Sequence, residues 1–581
     1  MSAMDTPSPY GGPPVAVVGN GPVGQTTALL LARWGIPVVL LDARPERDAV
    51  GSKAICQQRD VLDIWAAVGA GRIAEEGLTW DTARTFHRDR ELFSWSFTDR
   101  GHSPLPPFVN LSQCRSEQIL DEALAAEPRI DVRWGHEVTA IGQDDRTVLL
   151  TCATAAGEVR VEAAYAVAAA GARGDRIRDL LGVDFAGHSF DDRFLICDIR
   201  ADLPGWETER RFHFDPEWNP GRQVLIHPCP EQIFRIDWQV PADFDLDAED
   251  ADGRLDARIR AIIGDRDYEI VWRSVYRFHS RCVDRMRVGR VLLAGDCAHL
   301  VAPFGARGLN SGVADAENAA WKLAFVLHGW VPEDLLDSYH HERSAAAREN
   351  LAVTSETMRF LVPRTGDERR ARERVLEQAR DDAEARARVD SGRFAEPYWY
   401  VDSPLTTTDP DRPFGGRPPR GEMPTVVPGV LVPDAPVTVA ERPDVTRLRE
   451  LVRDGLLALT TTGVDTAEVA RVLTETTDAP RRVLRLADID EHGTLTTALN
   501  ARPGETWLLR PDGHVAAVVP SNSADALARA VRRVLGYMPE VVSTSGTGGR
   551  AAAYERHFAL AQSWDLEGAE AEHNADKGEC R

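Results

Sequence analysis

The sequence predicts an α/β protein: a Rossmann-like dinucleotide-binding domain interrupted by an inserted β-sheet, followed by a smaller α/β domain. Three observations carry that prediction. Pro13 to Arg44 reads as strand, glycine turn, helix and strand. From about Phe185 to Tyr276 the chain breaks into short, aromatic, strand-like runs bounded by proline or glycine. Beyond Pro428, strand and helix signals alternate in a β-α-β-β-α order.

The first strand, Val15–Val18, ends in Gly19-Asn20-Gly21-Pro22-Val23-Gly24. Thr26 to Trp34 reads as a helix closed by Gly35, and Val38–Leu41 as a second buried strand with Asp42 at its end. Glycines at 19, 21 and 24 permit a tight turn, close approach to a pyrophosphate and close helix–strand packing, while the helix N-terminus presents unpaired N–H groups. Asp42 stands where a carboxylate accepts hydrogen bonds from an adenosine ribose, and Arg44 follows it. The alternative is a glycine-rich turn that binds nothing. The ordered context of strand, helix, strand and acid argues against it.

Helical spacing recurs over Asp60 to Val68, and Glu91 to Phe97 reads as a strand beside a hairpin. A helix runs from Ser116, as cap, to Pro128. Val132–Trp134, Val148–Cys152 and Ala163–Ala170 read as strands, the last running into Gly171-Ala172-Arg173. In the aromatic stretch, RFLICDIRA, RRFHFDP, RQVLIHPCP and IFRIDWQV predict a separate sheet of the kind that walls a pocket. Its single residues read more simply as sheet and core than as ligands. The chain returns with Arg290 to Asp296, another buried strand ending at glycine and a carboxylate. CAHLVAPFGARGLNSG then leads into a helix of about twenty residues with Asn310 or Ser311 near its start. That loop offers backbone N–H groups and a helix dipole to an anion or a planar, electron-rich group.

Residues 333–400 read as mostly helical, with DERRARERVLEQARDDAEARARV as a solvated face. A Pro/Gly-rich linker, Asp409 to Pro428, precedes the last domain, where Arg510-Pro511-Asp512-Gly513 reads as a hairpin turn. From Ser543 the chain reads as a flexible tail with one helix at Ala551–Gln562. The expected domains are therefore 1–184 with 281–400, the insert 185–280, a linker 401–428, the last domain 429–538 and the tail 539–581.

Composition narrows the function classes. A chain of 581 residues needs two or three cores. Net charge is −23, from 68 basic and 91 acidic residues, and no basic run offsets it, which argues against a nucleic-acid partner. No apolar stretch approaches the ~20 residues that span a bilayer, and MSAMDTPSPYGGPP lacks a signal-peptide layout. A cytoplasmic protein without a membrane partner is expected. Eight cysteines (Cys56, Cys114, Cys152, Cys197, Cys229, Cys282, Cys297 and Cys580) are scattered without a CxxC, implying buried or free thiols rather than a disulfide frame or a zinc site, and no metal is expected.

GNGPVG with Asp42, the segment ending AAGAR, and GDCAH…PFGARGLNSG…DAENAAWKLA together resemble the class A flavoprotein aromatic hydroxylases, of the para-hydroxybenzoate hydroxylase fold. The last domain resembles the thioredoxin-like domain of the phenol hydroxylase and 3-(3-hydroxyphenyl)propionate hydroxylase types; like theirs, it lacks redox cysteines, none occurring between Cys297 and Cys580. The resemblance implies FAD as cofactor and NADH or NADPH and O2 as co-substrates. It also implies a small aromatic, phenolic substrate, hydroxylated through a flavin C4a-hydroperoxide. Baeyer–Villiger oxidation, epoxidation, polyketide-ring hydroxylation or a slow FAD-binding module remain alternatives on the same scaffold.

By resemblance, Gly19, Gly21 and Gly24 hold the pyrophosphate, Asp42 and Arg44 the adenosine end, and Lys53 stands near the pyrophosphate. Gln113, with Arg115 beside it, reaches the ribityl region. Gly171 belongs to the middle motif, and Gly295-Asp296 binds the ribityl chain. Gly308, Leu309 and Asn310 lie along the isoalloxazine, and Pro303 flanks the site of oxygen reaction. Candidates for handling the substrate hydroxyl are His213, His227, Tyr276 and His279, with Trp238 as a further substrate contact. Two departures from the family pattern stand out: Ala170 replaces the aspartate of an Asp-Gly pair, and Ala306 replaces a common glycine. The C-terminal domain is expected to serve packing or homo-oligomer contacts.

Overall fold

The protein is described from a computed structural model, covering residues 10–48, 51, 54–96, 102–418, 422–521 and 523–537. The expected tail helix, Cys580 and Lys53 lie outside the described residues. All described residues belong to one compact unit ending at Tyr537.

The strand-turn-helix at the N-terminus forms because four consecutive apolar residues, Val15–Val18, are buried on both faces, as a central parallel strand requires. They pair in parallel with Val38–Leu41 on one side and Tyr165–Ala168 on the other. The six-stranded sheet continues outward to Ile130–Arg133 at one edge, and through Val291–Leu293 to Arg287–Val288 at the other. The strand leading to Gly19 and the strand leading to Gly295-Asp296 thus lie in one sheet, with Tyr165–Ala168 between them.

Local boundaries shift from the sequence expectation. The first helix starts at Pro22, not Thr26, because proline fits the first helical position, where no N–H partner is needed. The next long helix is Gln113–Ala126, and its cap is Ser112, whose side chain accepts from the Arg115 N–H; Ser116 is buried inside the helix. After the helices Asp337–Leu361, Gly366–Gln378 and Ala383–Ala387, the chain to residue 400 is non-helical.

A second sheet has eight strands. Phe185–Ala201, Glu209–Phe214, Gln223–Cys229, Ile233–Val240 and Tyr268–Val283 supply the aromatic strands that were expected. The sheet reaches beyond 185–280: Thr82–His87 joins by parallel pairing to Glu209–Phe214, Arg90–Ser96 follows it, and His299–Leu300 closes the far edge. Its outer face packs Leu195, Trp238 and Phe234 on Leu255 and Ile259 of the helix Arg254–Ile263. Its inner face meets the rest of the body, Phe194 and Phe212 packing near Phe304.

The C-terminal part forms a four-stranded sheet ordered Arg481–Arg485, Leu456–Thr460, Glu505–Leu509, Val515–Pro520, with one parallel and two antiparallel pairings. The segment before it is packed rather than free, since Thr407 N–H bonds the Ala516 carbonyl and Arg412 pairs with Glu505 at 2.7 Å. The Arg510–Gly513 turn forms as expected, but Arg510 and Asp512 are buried. Among the described residues no helix is long and apolar enough to cross a membrane.

Candidate functional site

The glycines of the first turn serve different purposes. A Cβ on Gly19 (φ +109°) would lie 2.3 Å from the Ala169 carbonyl oxygen, and one on Gly24 would lie 1.8 Å from the Gly19 carbonyl. The fold itself excludes side chains there. A Cβ on Gly21 meets nothing within 4 Å. It faces open space at the N-terminus of Pro22–Arg33, which no side chain caps. Free N–H groups and the positive end of the helix dipole suit a pyrophosphate at that point. Beside it, Nδ2 of Asn20 is buried without a partner.

Asp42 ends the neighbouring strand. Its Oδ2 accepts from the Asn20 N–H (2.8 Å) and Arg44 Nη2 (2.9 Å), and its Oδ1 from the Arg44 N–H (2.8 Å) and Nε (3.0 Å). Burial opposes its charge, but Arg44 and the two N–H groups outweigh it and hold the carboxyl below the usual carboxylate range. A ribose hydroxyl that binds Asp42 has to displace Arg44. Gln113 is anchored by the Ala54 N–H and by Glu117. Arg115 forks onto Glu76 at 2.7 and 2.9 Å, so its guanidinium is committed to that carboxylate instead of standing free beside Gln113.

The second strand end closes on the first through one side chain. A Cβ on Gly295 would sit 3.0 Å from a methyl of Val23, and one on Gly312 would sit 2.7 Å from the same methyl. Fingerprint, Gly295-Asp296 turn and long helix Arg307–Leu327 therefore meet at Val23. Asp296 is exposed, and its Oδ1 lies 4.0 Å from where a Gly308 Cβ would stand, so both face one space. Pro303 is exposed in the loop between them. The long helix has no side-chain cap, its preceding residue being Ala306 in the left-handed region, and its first-turn N–H groups lack intrahelical partners. The Asn310 side chain is turned elsewhere: Oδ1 accepts from the Gln58 N–H (2.8 Å) and Nδ2 donates to the Cys56 carbonyl (3.0 Å). At this position only backbone can lie along a flavin ring. Ala170 precedes the turn Gly171–Arg173, with its Cα 3.0 Å from where a Gly19 Cβ would stand. An open cradle at Gly21, an orphaned amide beside it, and an uncapped helix facing a carboxylate fit FAD.

Strand alternation sorts the substrate candidates. Trp238 is wholly buried in the outer-face core, and His213, stacked on Phe86 with centroids 4.5 Å apart, shares that outer face. His279 pairs with Ser189 through Nδ1 at 2.8 Å, with parity opposite to Phe278 of the inner face. None of these three reaches the inner face. His227 and Tyr276 do, in register with Arg235 and Phe194 respectively. Burial, and then Arg211, lowers the His213 pKa to about 4; burial pushes the Tyr276 hydroxyl up.

The same inner face carries charged residues that sequence reasoning missed: Arg210, Asp198, Arg235 and Asp237. Asp198 and Arg235 form a buried fork, Nε to Oδ1 at 2.8 Å and Nη2 to Oδ2 at 2.9 Å. The available signal was charge inside otherwise apolar strands, as in IFRIDWQV and RFLICDIRA. This face adjoins the start of the long helix, since the Pro228 carbonyl, next to His227 in its strand, accepts from Nδ2 of Asn110 at 2.8 Å, and Asn110 pairs with Cys56, whose carbonyl holds Asn310.

Comparisons with known proteins agree with this geometry. A family model described as FAD binding domain matches residues 13–354, and one described as aromatic-ring hydroxylase, C-terminal, matches 425–537. A flavin-dependent monooxygenase of Mycobacteroides abscessus is 34% identical over 365 residues, covering 59% of this chain and 73% of the relative. A para-nitrophenol 4-monooxygenase of a Pseudomonas species is 28% identical over 379 residues, covering 64% and 90%. The crystal structure of the flavin-dependent monooxygenase PieE with FAD and substrate superimposes with a TM-score of 0.79 at 25% identity, covering 91% of this chain and all of that one.

Proposed function

The chain belongs to the FAD-binding domain family, whose model spans more than half of it, and from that premise we propose that it is a single-component, FAD-dependent aromatic hydroxylase. It uses NAD(P)H and O2 to place a hydroxyl group on a phenolic ring. The observation that carries this reading is the meeting of two glycine-bearing strand ends at Val23, in a chain whose eight-stranded sheet carries buried polar groups on its inner face. A protein that binds only one nicotinamide has no use for the second strand end and its loop.

The chemistry supplied by bound FAD is hydride acceptance from NAD(P)H and activation of O2. Gly21 and the helix start at Pro22 hold the pyrophosphate, and Asp42 with Arg44 the adenosine end. Asp296 takes the ribityl hydroxyls. The uncapped start of Arg307–Leu327 presents N–H groups to the electron-rich ring system, a fixed dipole that needs no reorganisation during reaction. Asn310 ties that helix start to the strand Cys56–Gln58, so loop and ring platform are held together. The inner face of the eight-stranded sheet, closed by Phe194, Phe212 and Phe304, excludes water and orients the substrate ring.

The purified protein should be yellow. Phenols should stimulate its NAD(P)H oxidation and O2 uptake, and mass spectrometry should show one added oxygen without ring expansion. A colourless protein that refuses added FAD, or a yellow one indifferent to a broad panel of phenols, overturns the reading.

A further inference from the structure

The inner face of the eight-stranded sheet holds a carboxylate that the fold leaves unanswered. Asp237 stands two residues beyond Arg235 on the same face, yet Arg235 is committed to Asp198. Oδ1 of Asp237 is shut away from solvent without a hydrogen-bond partner. Its cross-strand neighbours are Leu225 and Ile196, both apolar. One diagonal away, His227 sits opposite Arg235, and its Nδ1 is likewise buried without a partner. Diagonal neighbours in such a ladder lie about 7–8 Å apart, close enough for one small ligand to touch both. Buried orphan polar groups cost stability and are rare in native folds. Two of them on a diagonal, on a face whose His227 strand is tied at Pro228 to Asn110, the cross-strand partner of Cys56, mark a place where a ligand supplies the missing partner.

We propose that Asp237 accepts the hydroxyl proton of the phenolic substrate, with His227 as a second hydrogen-bonding group for the same oxygen. This rests on the hydroxylase reading above. The substrate O–H bond breaks, its electron pair stays on oxygen as a phenolate, and the proton passes to the Asp237 carboxylate. The proton returns to that oxygen before the product leaves. The charge of the cleft does not change, because the negative charge leaving Asp237 reappears on the ring oxygen. Arg235 and Arg210 favour that charge, while Asp198 opposes it. Burial is the largest influence on Asp237 and pushes its carboxyl up to about 7, the range suited to taking a proton near neutrality. Burial, with Arg210 and Arg235, holds the His227 pKa well below its usual value, so the imidazole is neutral and serves as a hydrogen-bonding group.

The test uses the full-length FAD-loaded enzyme and a panel of phenols, with resorcinol at the weakly acidic end and para-nitrophenol, above its own pKa, at the ionised end. Asp237→Asn should lower resorcinol-dependent kcat by about tenfold or more, within the usual range for losing a general base. It should also remove the limb of the pH profile near pH 7, while the already ionised para-nitrophenol is largely spared. Asp237→Glu should restore part of the resorcinol rate. Bound FAD content and circular dichroism report whether each variant folds. Equal losses on ionised and un-ionised phenols, or no loss on either, overturn the proposal and leave the hydroxylase reading standing. A wild type unresponsive to the whole panel overturns that reading, and this proposal with it.

Discussion

The backbone N–H of Gly295 donates to Oδ2 of Asp315, two turns into the long helix, at 2.9 Å. The same oxygen meets His299 Nε2 at 2.7 Å, and the other oxygen takes Arg343 Nε at 2.6 Å. Asp315 therefore ties both ends of the Gly295–His299 turn to the helix Arg307–Leu327. Burial opposes its charge, but Arg343 and His299 outweigh burial and keep the carboxyl below its usual range. Asp315→Asn leaves Arg343 buried without its charge partner, a loss on the order of 3–5 kcal/mol. We expect a lower Tm together with weaker FAD binding, read by flavin fluorescence titration. A variant with wild-type FAD affinity would show that the turn needs no such anchor.

Gly21 and Gly24 should separate ligand from fold. Gly24→Ala puts a methyl 1.8 Å from a carbonyl oxygen, so it should fail to fold or melt far lower. Gly21→Ala meets no protein atom within 4 Å and has an ordinary backbone φ of −95°, so the apo protein should melt like wild type. Its FAD affinity should fall by about tenfold or more, since a displaced pyrophosphate loses charge-assisted N–H bonds worth roughly 1.5–3 kcal/mol each. Apo melting curves and FAD titration check both halves. Unchanged FAD binding in Gly21→Ala would place the pyrophosphate elsewhere.

Ala306 is held at φ +58°, ψ 37°, where a Cβ is unfavourable by roughly 1–2 kcal/mol. The position immediately precedes the long helix, and a glycine there relieves the strain while adding freedom to the unfolded chain. Ala306→Gly should therefore stabilise the protein by up to ~1 kcal/mol, seen as a small rise in Tm. A fall in Tm would show that the alanine methyl, packed near Trp80 and Phe108, contributes more than the backbone strain costs.

Arg510, in the C-terminal hairpin turn, grips Glu342 through Nη1 at 2.6 Å and Nη2 at 3.0 Å, and Lys322 reaches the same carboxylate at 2.6 Å. All three side chains are wholly buried. Burial opposes the Glu342 charge, yet Arg510 and Lys322 hold its carboxyl far below the usual range. That stability is present above the ordinary glutamate pKa and is lost as pH falls below it. Glu342→Gln leaves two buried cations facing a neutral amide, at a cost of about 3–5 kcal/mol. The variant should melt lower, and protease should cut it sooner between residues 401 and 428. It should also lose less stability than wild type as pH falls below about 4.5. An unchanged proteolysis pattern would mean that the other interdomain ion pairs, such as Arg453 with Asp63 at 2.7 Å, hold the turn in place alone.

Short-range chemistry was legible and long-range cover was not. Gly19, Gly21, Gly24 and Asp42 announce their turn through spacing, since a βαβ unit is a local structure. Ser112 and Ser116 both precede helical spacing, and only the hydrogen bond that Ser112 accepts from the Arg115 N–H marks it as the cap. In IFRIDWQV, alternation reads Arg235, Asp237 and Gln239 as a wet face. Arg235 and Gln239 are nevertheless buried and Asp237 half-buried, because Phe304 and the helices Asp337–Leu361 and Gly366–Gln378 pack on that face, and no local pattern encodes cover by residues far away in sequence. The same reasoning explains Trp238, His213 and His279, whose side of the sheet depends on which face the body covers. RPDG predicts the turn that Arg510–Gly513 forms, but nothing in it reveals that Glu342 lies against Arg510.

Asp237 makes the pH dependence of stability run against the usual direction for an acid. Burial raises its carboxyl to about 7 in the folded chain, against 3.8 for the ordinary group. The folded state thus binds a proton that the unfolded state releases anywhere between those values, and the linkage relation makes stability fall as pH rises across that window. A tenfold difference in proton affinity is worth about 1.4 kcal/mol, so this one group costs the apo protein on the order of 2–4 kcal/mol above pH 7 relative to pH 4. Asp237→Asn keeps the shape and removes the charge. Its Tm should exceed that of wild type at pH 8, and the gap should close on acidification to pH 5. A tight-binding phenol should erase the same gap in wild type by donating the missing hydrogen bond. If the variant melts below wild type at pH 8, Asp237 has a partner that stabilises its charge, and its place as an unanswered base is wrong.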